Sequence, residues 1–139
     1  MNASYEEKSV WIKLLAMAIA FAGYLIIAGT MRSAGVDLLP PYAAVFAASV
    51  VVMVIIMVLG HLLAAITGRV EKRDERDRTI GWRAGSNSAW VLAAGIFTAL
   101  CLMLASVSTL WVAHLLLISL YASQIMEYVL QLLYYRRGM

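Results

Sequence analysis

The chain has 139 residues, of which 63% are apolar and only 14% charged, with a net charge of +3. A small soluble domain buries the smallest share of its surface and could not hide so much apolar area, so lipid is the solvent that fits. The positive excess sits in short segments beside apolar runs, a topology signal, and no nucleic acid is expected as a partner. The single cysteine, Cys101, lies within an apolar run, cannot form an internal disulfide and reads as a small buried hydrophobe.

The first uncharged run lies between Lys13 and Arg32. With its flanks, about 10–31, it is long enough to cross a hydrocarbon core of about 30 Å at about 1.5 Å per residue. It exceeds the about 7–15 apolar residues of a signal peptide and reads as a retained helix. The next run, from Asp37 to Arg69, begins behind Pro40-Pro41, a pair suited to a first helical turn. It predicts a helix over about 41–67, stopped at Gly68. Between Arg83 and Arg136 the only formal charge is Glu127. That stretch is too long for one span and predicts two, about 85–105 and 110–135, parted at Ser106-Val107-Ser108-Thr109. The expected fold class is all-α: a polytopic membrane protein, a single domain over 1–139, built as an antiparallel four-transmembrane-helix bundle with a charged loop at 68–84.

Orientation follows from counting. With the N-terminus inside, the cytoplasmic segments hold Lys8, Lys13, Arg69, Lys72, Arg73, Arg76, Arg78, Arg83, Arg136 and Arg137, and the outer loops hold only Arg32. This positive-inside bias places both termini in the cytoplasm, at a cell (inner) membrane. Trp11, Trp82, Tyr134 and Tyr135 would mark the inner interface, Tyr42 and Trp111 the outer. Small residues in helix one and the Gly60-x-x-x-Ala64 pattern allow close helix approach.

The hydrophilic segment 68–85 carries Asp74, Glu75, Arg76, Asp77 and Arg78. Asp74 and Arg78 are i,i+4 partners, as are Arg73 and Asp77, and Asp74 with Asp77 has the spacing of a helix N-cap. A solvated hairpin is the plain reading of such a charge-balanced run; a docking surface for a cytoplasmic protein or anionic headgroups is the sharper one. The run Asp74-Glu75-Arg76-Asp77-Arg78-Thr79-Ile80, followed by Arg83-Ala84-Gly85 at the head of a helix, resembles a family of small prokaryotic membrane proteins with paired transmembrane helices around an Asp-Glu-Arg-Asp loop. The resemblance covers about a dozen residues plus the general helix layout. It implies the same topology, and no substrate, cofactor or catalytic residue.

Ionisable residues inside spans are costly and mark candidate sites. Glu127 and His61 fall at similar depth in the cytoplasmic third, near Ser86, Asn87 and Ser88. Tyr121, Gln124, Tyr128, Gln131 and Tyr135 form one face of helix four, and Glu127 lies beside that stripe. His61, Asn87, Gln124, Glu127 and Gln131 are therefore the candidate intramembrane polar site, read either as a network that fixes helix register or as a proton- or cation-linked site with Glu127 titrating. His61 and Glu127 are too few ligands for a metal, and no cofactor is expected. His114 stands apart near the outer interface. The nucleophile-elbow, metalloprotease, P-loop and dinucleotide patterns are missing from the sequence.

Three functions fit. The first is a small adaptor or regulatory subunit acting through helix packing and its cytoplasmic segment. The second is a homo-oligomeric proton- or cation-linked transporter or channel using Glu127, and the third a lipid-modifying enzyme.

Overall fold

The computed structural model of the protein describes residues 5–67 and 74–137. These fold into four helices: α1, Tyr5–Ser33; α2, Leu39–Thr67; α3, Glu75–Leu104; and α4, Thr109–Arg137. Each is long and apolar enough to cross a membrane. The apolar runs thus fold as helices in which every interior backbone N–H and C=O is paired within its own segment, as a lipid environment requires.

Two of the helix ends share one solution. After α1, Gly35 takes a left-handed conformation (φ 80°), its N–H bonds Arg32 O at 3.0 Å, and Val36 N–H bonds Met31 O at 3.1 Å. After α3, Ser106 does the same (φ 59°), with Ser106 N–H on Met103 O and Val107 N–H on Leu102 O, both at 3.0 Å. Both are Schellman stops, with an apolar residue, Val36 or Val107, closing the motif.

The third helix begins at Glu75 rather than near residue 85, so residues 75–84, expected in a loop, are helical turns. Asp74 caps it: its side chain accepts from Glu75 N–H at 2.7 Å, and its own N–H is accepted by Asp77 Oδ2 at 3.0 Å, completing a capping box. The other half of the expected loop, 68–73 and with it the Arg73–Asp77 pair, lies outside the described residues. α1 likewise starts at Tyr5, ahead of the expected residue 10.

α3 packs along α4, α1 along α2, and α1 along α4; α2 and α3 share no such interface. By their main interfaces the helices therefore follow one another in the order α2, α1, α4, α3. Small residues set the closest approaches. A β-carbon at Gly60 would lie 2.6 Å from Ile12 Cγ2, and one at Gly95 would overlap the Ser119 side chain. The core along α1 and α4 is aromatic: Phe21 stacks on Tyr121 with centroids 4.9 Å apart, and Tyr24 sits among Phe46, Tyr121 and His114.

The packing defines three further residues. Tyr42, in the first turn of α2, is buried, its hydroxyl bonded to Val36 O at 2.8 Å. His114 packs edge-on against Tyr42 at 4.8 Å, and its Nδ1 meets Leu110 O at 2.8 Å. Cys101 is exposed on the surface of α3 rather than buried; in a bilayer an apolar side chain has no need to be covered by protein.

Candidate functional site

The expected intramembrane site is divided by the packing order. His61, on α2, turns to α1: its Nε2 is 2.9 Å from Ser9 Oγ and its Nδ1 2.7 Å from Met57 O. Asn87, on the exposed side of α3, donates to Tyr134 Oη at 2.8 Å. Gln124 faces an apolar slot with Met17, Phe46, Val50 and Met53. Only Glu127 and Gln131 meet, with Gln131 Nε2 donating to Glu127 Oε1 at 3.0 Å. They share one turn of α4, so this pair is an i,i+4 contact fixed by the helix itself.

What the packing adds at Glu127 is positive charge. A cavity of about 390 Å³ opens at the end of the molecule where α1 begins and α4 finishes, and all four helices line it. Lys13 comes from α1, Met57 from α2, Arg78 and Trp82 from α3, and Glu127, Tyr128 and Gln131 from α4. Among the described residues the one ion pair is Arg32 with Asp37, so Lys13 and Arg78 reach this cavity unengaged by a carboxylate. Gly85 lies beside the acid: a β-carbon there would be 3.7 Å from Glu127 Oε1, an ordinary van der Waals contact.

Sequence reasoning placed Lys13 in a topology-setting segment and Arg78 on the candidate cytoplasmic interaction surface, and neither beside Glu127. Their depth was the available signal. Lys13 is only two turns inside α1, and Arg78 lies in the first turn of α3, so both fall within reach of a carboxylate placed ten residues before the end of α4.

The charged segment has its own geometry. Asp74, Glu75, Arg76 and Arg78 are exposed on the opening turns of α3, and Asp77 is half-buried. Asp77 Oδ1 accepts from Tyr135 Oη at 2.8 Å, joining the start of α3 to the last turn of α4. Beside it Arg76, Thr79, Ile80, Arg83 and Tyr134 surround a second cavity of about 300 Å³. Higher in the core, Ser49 Oγ donates to Phe46 O at 2.7 Å and lies 2.7 Å from Tyr121 Oη, the bond that links α2 to α4. Ser123 Oγ donates to Ser88 O at 3.0 Å, linking α4 to α3.

Chemically, the Glu127 cavity can hold a polar group that carries both signs of charge. No group of three His, Cys, Asp or Glu side chains among the described residues could hold a metal ion. Comparison with protein-family models, with curated proteins and with solved structures yields no match.

Proposed function

We propose that the chain is an inner-membrane protein, a bundle of four antiparallel spans with both termini cytoplasmic, that serves as a small adaptor or regulatory subunit without catalysis of its own. Membership in the family with the Asp-Glu-Arg-Asp segment is part of the same proposal. The cationic residues of the cytoplasmic segments, against Arg32 alone outside, support the orientation. The observation that carries the adaptor role is the start of α3. Its charged turns are ordered by the Asp74–Asp77 capping box and by Tyr135, while Glu75 and Arg78 stay exposed. A charged surface already fixed in shape loses little conformational freedom when a cytoplasmic protein docks on it. The broad apolar surface of α2, whose most apolar stretch holds no buried residue, leaves room for a second copy of the chain.

Photo-crosslinking in intact cells tests this role. A crosslinkable residue at position 75 or 79 is expected to capture a discrete protein partner, and Arg78→Glu is expected to abolish the adduct. A crosslinker at the lipid-facing position 97 should give none. Capture of only a second copy of this chain, or adducts indifferent to Arg78→Glu, would end the adaptor reading.

The second reading, transport through Glu127, has one supporting observation, the charged cavity. Above it the slot lined by Met17, Phe46, Val50 and Met53 is apolar, a poor path for an ion. Proton and monovalent-cation flux in proteoliposomes separates the two: flux lost in Glu127→Gln would establish transport in place of an adaptor.

A further inference from the structure

The polar cavity and the apolar slot lie on one continuous face. Lys13 and Met17 are one turn apart on α1, Met57 and Met53 one turn apart on α2, and Gln131 and Gln124 two turns apart on α4. The same strip of three helices thus passes from a charged mouth to an apolar groove, in the direction from the molecule's Arg137 end toward its middle. The groove is shallow, about 120 Å³, and lies among α1, α2 and α4. From Met57 at the mouth to Phe46 at its far end is roughly 16 Å of helix at about 1.5 Å per residue. Half of a hydrocarbon core is about 15 Å. Mouth and slot together are therefore about as long as one leaflet is thick.

The mouth is also specific in charge. It holds two cations, Lys13 and Arg78, and one carboxylate, Glu127, whose Oε1 is already taken by Gln131. A lipid with a phosphate alone would answer Lys13 and Arg78 and bring no donor of its own to Glu127. A headgroup with a phosphate followed by a small cation places the phosphate at the two cations and its positive end at the acid, and a primary ammonium can donate directly to the second oxygen of Glu127.

We infer that this face seats one phospholipid whose headgroup ends in a primary amine, with its phosphate between Lys13 and Arg78, its ammonium at Glu127 and one acyl chain along Met17, Met53 and Phe46. The occupant is a bilayer lipid and its seating requires no protein partner, while Arg78 is common to this site and to the proposed docking surface. Trp82, 74% exposed at the rim, sits where an indole flanks a headgroup.

Native mass spectrometry of the purified full chain, released from micelles doped with equal amounts of competing lipids, provides the test. The series runs from phosphatidylethanolamine through its N-methyl and N,N-dimethyl forms to phosphatidylcholine, with phosphatidylglycerol as the anionic competitor. For the wild-type protein, retention is expected to fall stepwise as N–H donors are replaced by methyl groups, reaching about tenfold between the ends of the series. Glu127→Gln is expected to flatten the series, and Lys13→Ala with Arg78→Ala to weaken every phospholipid alike. Met53→Trp, which fills the slot, should lower retention without altering the methylation preference. Equal retention of the two end members by wild type, or a preference for phosphatidylglycerol, would overturn the inference without recourse to any variant. A methylation series unchanged in a folded Glu127→Gln protein would overturn it too.

Discussion

Tyr135 Oη donates to Asp77 Oδ1 at 2.8 Å while Asp77 Oδ2 accepts from Asp74 N–H at 3.0 Å. One carboxylate thus closes the capping box of α3 and fastens that helix start to the last turn of α4. The charged opening of α3 is in this way held by a contact between residues far apart in sequence, and its stability can be measured.

Asp77→Ala removes both bonds at once and leaves Asp74 N–H without its acceptor. The loss of the cap interaction is expected to cost about 1 kcal/mol. The effect should be local: amide hydrogen exchange at residues 75–79 should accelerate several-fold, while residues 95–102 keep their protection. Tyr135→Phe, which spares the capping box, should produce a smaller change at the same amides. Equal protection in wild type and Asp77→Ala would mean that the box does not hold the helix start.

The two Schellman stops differ in one respect, glycine at position 35 and serine at 106, both with positive φ. A β-carbon in the left-handed region costs about 1 kcal/mol, part of which glycine returns through the freedom of the unfolded chain. Ser106→Gly is therefore expected to stabilise the fold by about 0.5 kcal/mol, and Gly35→Ala to destabilise it by about 1 kcal/mol. Reversible unfolding in mixed micelles, followed by far-ultraviolet circular dichroism, gives both values. A loss of stability in Ser106→Gly would show that the serine contributes through its side chain.

Gly95 and Ser119 mark the closest approach of α3 to α4. A β-carbon at Gly95 would fall on the Ser119 Oγ and Cβ atoms, 3.7 Å from its Cα. Gly95→Ala is thus expected to push the two helices apart at a cost of about 2 kcal/mol. Ser119→Gly should recover most of that loss in the double variant, because it removes the atoms in conflict. Additive losses in the double-mutant cycle would place the strain elsewhere.

The helices were legible because charge marks their limits. Long uncharged runs between Lys13 and Arg32, Asp37 and Arg69, and Arg83 and Arg136 leave a bilayer-spanning chain few alternatives. The start of α3 was harder to read. The Asp74–Asp77 spacing was visible, but the bond from Tyr135 that fastens this start to α4 is encoded in no local pattern. The polar site was half legible for a related reason. Depth along a helix follows from residue number, so His61, Asn87 and Glu127 could be placed at similar levels, whereas direction around the axis depends on which helices are neighbours. With α2 next to α1 and α3 next to α4, His61 meets Ser9 and Asn87 meets Tyr134, leaving Glu127 to the cations of α1 and α3.

Three buried hydroxyls separate a bond's value from the cost of leaving a group unpaired. Ser49 Oγ gives its proton to Phe46 O, so in the contact with Tyr121 the tyrosine must be the donor. Tyr121→Phe therefore removes one interhelical bond and leaves Ser49 with its carbonyl partner, an expected loss of about 0.6 kcal/mol. Ser49→Ala instead strands the Tyr121 hydroxyl, which is almost fully buried, and should cost more, about 1–2 kcal/mol. Tyr24 presents the opposite case: its hydroxyl is buried and makes no hydrogen bond among the described residues. Its ring still packs against Phe46 and Tyr121 and would do so equally as phenylalanine. Tyr24→Phe is accordingly expected to stabilise the protein by up to about 1 kcal/mol. The order of stability Tyr24→Phe, wild type, Tyr121→Phe, Ser49→Ala, read from unfolding midpoints in one micelle composition, checks all three. Destabilisation in Tyr24→Phe would show that this hydroxyl has a partner in the membrane.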